Sequence, residues 1–131
     1  GRILPMDITA RVTDFVISNK DTFVGIDLAD NEDGFDCKPF APLFERAKNA
    51  GLNITIHAGE IPSGAYSVKD SIELLHADRI GHGIQIFKYP DLIELVKSKN
   101  VTLELCPLSN YLTSAVPDPK NIRFESLWKK V

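Results

Sequence analysis

Asn53-Ile54-Thr55-Ile56-His57-Ala58-Gly59-Glu60 is a buried-strand pattern that runs out into a loop. His57 shares a strand face with Thr55, and the neighbouring residues point the other way. Asn49-Ala50-Gly51 announces this strand, a helix stop with glycine where the chain needs positive φ. A second segment, Arg79-Ile80-Gly81-His82-Gly83, ends the same way, with an imidazole bracketed by glycines. Two imidazoles and a carboxylate at strand ends are groups that activate water on a metal and move protons.

Outward from these segments, short apolar runs alternate with amphipathic stretches, the pattern of βα units on a parallel sheet. Strands are predicted at 2–6, 23–29, 53–58, 79–82 and 101–106, and helices at 9–18, 38–50, 67–75 and 89–99. Pro90-Asp91 opens the fourth helix with proline in the first turn and an acid at the positive end of the dipole. Leu92, Ile93, Leu95 and Val96 mark its buried face. Beyond Pro117 the chain is proline-punctuated and then amphipathic. Phe124, Leu127 and Trp128 recur there at helical spacing, as packing groups. With no repeat, linker or low-complexity segment, residues 1–131 read as a single domain of α/β class.

Composition bounds the function. The 131 residues are 44% hydrophobic and 25% charged, values of a water-soluble globular chain. A net charge of -3 leaves no electrostatic footprint for nucleic acid. No apolar run approaches the ~20 residues that span a bilayer, and the N-terminus lacks the apolar core of a signal peptide. Cys37 and Cys106 are far apart in sequence and fall in no Cys-x-x-Cys pattern, which predicts two free thiols in a reducing compartment and a cytoplasmic location.

In a sheet of this kind, reactive groups collect at the C-terminal strand ends. Asp27 and Asp30, His57 and Glu60, His82, and Ser109 with Asn110 all fall at or just after such ends. An inward-facing imidazole at a barrel mouth is a natural zinc or iron ligand, which makes His57 the metal candidate. Glu60 lies where the chain curls over the pocket, within reach of a metal-bound water. His82 is set to be held rigidly against a substrate or a hydroxide. An isolated His-x-x-Glu pair is more often a hydrogen-bonded core histidine beside a solvated glutamate. Four consecutive strand ends with polar residues are much harder to explain as packing. His76, at a helix end, is read as solvent-facing, and Cys106 as a small buried residue rather than a nucleophile.

Four ordered segments together resemble the adenosine deaminase family of metal-dependent purine nucleoside deaminases. They are Val24-Gly25-Ile26-Asp27-Leu28-Ala29, Thr55-Ile56-His57-Ala58-Gly59-Glu60, Arg79-Ile80-Gly81-His82-Gly83 and Leu103-Glu104-Leu105-Cys106-Pro107-Leu108-Ser109-Asn110. The resemblance covers nearly the whole chain. It implies a partial TIM-type (β/α) barrel of about five parallel strands alternating with helices, equivalent to strands three to seven of eight. It further implies His57 as a zinc ligand, with one Zn2+ per complete site and iron as the other option. Glu60 would be the acid that protonates purine N1, and His82 the group that orients and activates the attacking hydroxide. Asp27, Asp30 and Gly59 would line the substrate side, and Ser109 and Asn110 would shape the loop after the last strand. The implied reaction is hydrolytic deamination of adenosine or deoxyadenosine to inosine or deoxyinosine and ammonia. The partner is then a small purine nucleoside, with neither nucleic acid nor membrane involved. Gly81 resembles the nucleoside branch, whereas adenine-base deaminases tend to carry Asp there.

Three departures from the family pattern accompany the resemblance. A His-x-His pair of metal ligands on the first strand and an Asp-Asp pair on the last have no counterpart here, and Asp30 stands where the family usually has Gly. The expectation is therefore a fragment whose site is incomplete alone, requiring missing barrel strands or self-association. The alternatives are a non-catalytic module that binds a purine or a partner, and an amidohydrolase acting on another amine.

Overall fold

The computed structural model describes residues 1–117. Four strands, β1 (Gly25–Leu28), β2 (Asn53–Ala58), β3 (Arg79–His82) and β4 (Thr102–Glu104), lie parallel in one sheet in the order β1-β2-β3-β4. Ile56 sits between Leu28 and Ile80, and Gly81 between His57 and Glu104. Every strand lies beside its predecessor, so the sheet winds one way like a barrel wall. A doubly wound sheet instead reverses its strand order. The chain forms an α/β partial barrel.

Four strands stand where about five were expected, because residues 2–6 do not form one. The Arg2 amide donates to the Ala29 carbonyl at 3.0 Å, and the Leu4 amide then turns back to the Gly1 carbonyl at 3.3 Å. Pro5, which has no N–H for a ladder, occupies the cap position of α1 (Met6–Ser18). The Arg2 side chain turns inward and is buried. Its guanidinium donates to the Phe35 carbonyl at 3.0 Å and to the His57 carbonyl.

The helices fall close to expectation. A 3₁₀ turn, Lys38–Phe40, leads into α2 (Ala41–Asn49), and α3 (Ser67–Glu73) and α4 (Pro90–Ser98) follow. Leu92, Ile93 and Val96 of α4 are buried as predicted. A short helix, α5 (Pro107–Leu112), occupies the stretch after β4 that was read as a loop. The amphipathic stretch with Phe124, Leu127 and Trp128 lies outside the described residues.

Strand alternation sorts the sheet into two faces. Leu28, Ile54, Ile56, Ala58 and Ile80 are buried in one cluster with Phe44 and Ala47 of α2, Val68 and Ile72 of α3, and Leu92 and Val96 of α4. Each large apolar side chain buried this way contributes about 1.5–3 kcal/mol. On the other face Thr55, His57 and Glu104 are half-buried, and Asp27 and Arg79 are exposed. None of the described helices is long and apolar enough to cross a membrane. Cys37 and Cys106 are both free thiols, as predicted.

Candidate active site

The open face and the C-terminal strand ends bring the predicted imidazoles and carboxylates together. His57 occupies the penultimate position of β2, opposite Gly81 on β3. A Cβ at Gly81 would lie 2.6 Å from His57 Cδ2, so only glycine lets the imidazole lie down over the neighbouring strand. From there His57 Nε2 reaches Asp27 Oδ2 of β1 at 3.1 Å. That hydrogen bond is the chief reason the imidazole holds its proton above the ordinary histidine range. Burial opposes it, and the charges of Asp27, Glu104 and Glu60 assist.

His82 ends β3 with φ at 70°, in the left-handed region that non-glycine residues seldom occupy. This takes the side chain out of strand alternation. Its ring packs edge-on to His57, with centroids 5.2 Å apart and planes at 83°. The residue is 5% exposed. Glu60, in the loop after β2, places Oε2 3.6 Å from His82 Nε2.

Asn110 of α5 joins the two. It is fully buried, and its Nδ2 lies 2.8 Å from His82 Nδ1 and 3.3 Å from Glu60 Oε1. The Thr113 hydroxyl donates to the same Glu60 oxygen at 2.7 Å. With Asn110 donating to Nδ1, a neutral His82 carries its proton on Nε2. Asn110 Oδ1 is buried without a partner. Half a turn of that amide exchanges the pattern, so that Oδ1 accepts from Nδ1–H and Nε2 becomes the free base. That orientation also turns Oδ1 towards Glu60 Oε1, so it suits the state in which Glu60 carries its proton.

Other predicted residues are placed differently. Asp30 is exposed at φ 93°, and its carboxylate accepts the Asn31 amide at 2.9 Å. It makes no hydrogen bond to His57, Glu60 or His82. Gly59 is buried, with its N–H given to Glu32 Oε1 at 2.9 Å and its carbonyl taken by the Gln85 amide at 3.0 Å. Ser109 is exposed, and His76 is exposed at φ 58°. Cys106 is half-buried, its thiol directed at the Glu104 carbonyl at 3.4 Å.

The contacts of Asn110, Thr113, Glu32 and Arg2 were not anticipated. A hint existed for Asn110, because asparagine is a poor helix former and its place inside a helix suggests another duty. Glu32 and Arg2 act across 27 and 55 residues of sequence, where local pattern carries no signal.

A metal is only partly accommodated. Among the described residues no group of three or more His, Cys, Asp and Glu side chains could hold a metal ion. Catalytic zinc takes about three protein ligands. His57 offers one nitrogen and Asp27 a neighbouring carboxylate, which is less than a zinc or iron site.

The family described as adenosine deaminase matches residues 2–130. An adenosine deaminase of Plasmodium falciparum is 43% identical over 106 residues, covering 79% of this chain and 28% of that protein. One from Clostridium perfringens is 50% identical over 93 residues, covering 71% of this chain and 28% of that protein. The chain thus spans little more than a quarter of these relatives' length. Among solved structures, adenine deaminase from Arthrobacter aurescens superimposes with a TM-score of 0.81 at 33% identity, covering 90% of this chain and 36% of that one. An amidohydrolase from Burkholderia ambifaria, with bound Zn, gives a TM-score of 0.80 at 26% identity, covering 91% and 33%.

Proposed function

The chain belongs to the adenosine deaminase family, and on that premise we propose that it carries the proton-transfer half of a purine nucleoside deaminase site. The reaction is hydrolytic deamination of adenosine or deoxyadenosine to inosine or deoxyinosine and ammonia. The observation that carries this reading is the Glu60–His82 pair, 3.6 Å apart, held by Asn110 and facing His57 across the strand ends.

Glu60 donates its proton to purine N1, which makes C6 electrophilic. His82 orients the attacking water and takes its proton at Nε2 once Asn110 presents Oδ1 to Nδ1–H. The hydroxyl adds to C6, and His82 passes the proton it took on to the amino group. Ammonia leaves as the Glu60 carboxylate accepts the hydroxyl proton and the C6 carbonyl forms, which restores both groups. A positioned acid or base of this kind contributes about 10²–10⁴-fold. Zinc, with iron as the other option, supplies an acidified water when bound, and His57 would be one of its ligands. Because the described residues do not complete that ligand set, no step here runs through the metal. The remaining ligands would come from self-association or from barrel strands of a longer protein. Asp27, Asp30 and Gly59 face the substrate side, Gly59 by shape alone since both its backbone groups are engaged.

Residues 1–131 form one domain in this reading, equivalent to units three to seven of an eight-stranded barrel. Segment 1–5 has no strand conformation and meets the sheet just past the end of β1, where the Arg2 amide donates to the Ala29 carbonyl. Two unpaired thiols support a reducing compartment such as the cytoplasm.

A second reading, purine binding without turnover, is favoured by the lack of a three-ligand group among the described residues. Adenosine turnover with added zinc, measured beside Glu60→Gln, separates the two. Inosine and ammonia released by the unaltered chain and reduced at least about 100-fold by Glu60→Gln support the catalytic reading. Saturable adenosine binding with no release in either protein supports the second.

A further inference from the structure

Glu32, in the loop after β1, reaches across to the loop after β2. Its carboxylate accepts the backbone N–H groups of Gly59 at 2.9 Å, of Glu60 at 3.0 Å and of Ile61 at 3.5 Å. The space it fills is shaped for it. A Cβ on the buried Gly64 would lie 2.4 Å from Glu32 Cδ and Oε2 and 2.5 Å from Oε1. A larger residue at that position would oblige the carboxylate to shift from its place against the three amides. On the other side of Glu60, the Gln85 side chain donates to the Glu60 carbonyl at 3.0 Å. Both backbone polar groups of Glu60 are thus fixed, one by a charge-assisted contact that is stronger than a neutral one.

From this geometry we propose that Glu32 is a positioning residue: it sets the backbone from which the Glu60 carboxyl reaches His82, Asn110 and Thr113. The inference rests on the functional reading of Glu60 above. A carboxylate cannot be replaced here by a residue of the same shape without loss. The two oxygens accept from adjacent amides at once, whereas glutamine offers one acceptor and an NH₂ group that meets an N–H head-on. Displacing a reacting group by about 1 Å costs on the order of 10²-fold in rate, so a loop anchor has catalytic weight without touching substrate.

The test is amide hydrogen exchange and imidazole NMR on the full chain carrying Glu32→Gln. Hydrogen bonds to a charged group contribute about 1.5–3 kcal/mol, so exchange at Gly59, Glu60 and Ile61 is expected to rise about tenfold or more. Amides of Ile26 and Ile80 should keep their rates, and the His82 ring signals should shift as Glu60 moves. Unchanged rates at the three amides overturn the proposal, and so does an equal rise at Ile26 and Ile80. Faster exchange with unmoved His82 signals assigns Glu32 to the loop alone and overturns it too. Should Glu32→Gln fail to fold, Gly64→Ala displaces the carboxylate while keeping its charge, and Glu32→Asp shortens it. The same two readouts then decide. If the unaltered chain turns over adenosine, Glu32→Gln should lower kcat about 10–100-fold with KM within about twofold. Absence of turnover in the unaltered chain is the outcome expected of a site short of metal ligands, and the exchange and ring signals then decide the role of Glu32 by themselves.

Discussion

Asn110 divides one amide between two partners that must not neutralise each other, the His82 imidazole and the Glu60 carboxyl. Its orientation sets which ring nitrogen is protonated, so the arrangement shown predicts the Nε2–H form of neutral His82. Nitrogen-15 shifts of that ring measure it directly, and an Nδ1–H signature would refute the donor assignment. If the chain turns over adenosine as proposed, Asn110→Ala removes the discrimination and should lower that turnover about tenfold to a hundredfold, the worth of a hydrogen bond to a charged group. Asp30 shows a different tension. At φ 93° it holds a backbone better suited to glycine, where strain of about 1–3 kcal/mol is typical. Asp30→Gly should therefore raise the denaturation midpoint. A lower midpoint would mean that its bond to the Asn31 amide outweighs the strain. Cys37 supplies a pH dependence on the alkaline side. Burial is the main cause that pushes its thiol above the ordinary range, so the folded chain keeps this proton longer than the unfolded chain does. Its contribution is complete below the unfolded thiol value of ~8.5 and declines as pH rises above it. Cys37→Ser in parallel melts between pH 7 and about 10 should flatten that decline.

At the scale of elements, much of the fold was legible because βα units write themselves locally. The apolar alternation of β2, the Pro90-Asp91 start of α4 and the glycine stop before β2 each depend on a few adjacent residues. Residues 2–6 were misread for a physical reason. Ile3 and Leu4 have strand composition, yet Pro5 cannot donate to a ladder, and Arg2 is drawn inward to the Phe35 and His57 carbonyls. The first contact is 33 residues away in sequence and the second 55. The site divides along the same line. His57, Glu60 and His82 could be picked out because they stand at or just after the ends of two strands, β2 and β3. Asn110, Thr113, Glu32 and Arg2 are defined by contacts between units, which no single unit reveals. The core gives this a measurable form. Phe44 is 1% exposed and joins α2 to the buried strand face. Phe44→Ala should cost about 3–5 kcal/mol, a large part of the ~5–15 kcal/mol that usually separates folded from unfolded chains. Loss of a cooperative thermal transition is the expected result. A shift of only a degree or two would show that α2 is peripheral.

For the whole molecule, the decisive feature is that the described residues build a wall without closing it. β1 pairs only with β2, which leaves a parallel edge free among those residues. Beside it Val24 is 81% exposed, and on α1 Val12 and Phe15 are 50% and 59% exposed around an apolar recess that Ile8 and Arg11 help to line. An open strand edge next to uncovered apolar side chains is a template for association. The polar inner face, with Asp27, Thr55, His57 and Arg79, could associate too, and the two surfaces respond oppositely to salt. Contact through α1 and β1 is hydrophobic and should strengthen in sulfate, whereas contact through the charged face should weaken as ions screen it. Sedimentation equilibrium over a concentration series is expected to show a mass that rises with concentration and rises further in sulfate. Phe15→Glu places a charge in the centre of the apolar patch, far from the strand ends that carry Glu60 and His82, and should return the mass towards that of one chain. A chain that stays monomeric throughout would sink this expectation, while association that dissolves in salt and ignores Phe15→Glu would move the contact to the inner face. That second outcome would also bear on the proposed chemistry, because a copy docked on the inner face would bring its own histidines and carboxylates beside His57, where the described residues offer no group of three metal-binding side chains.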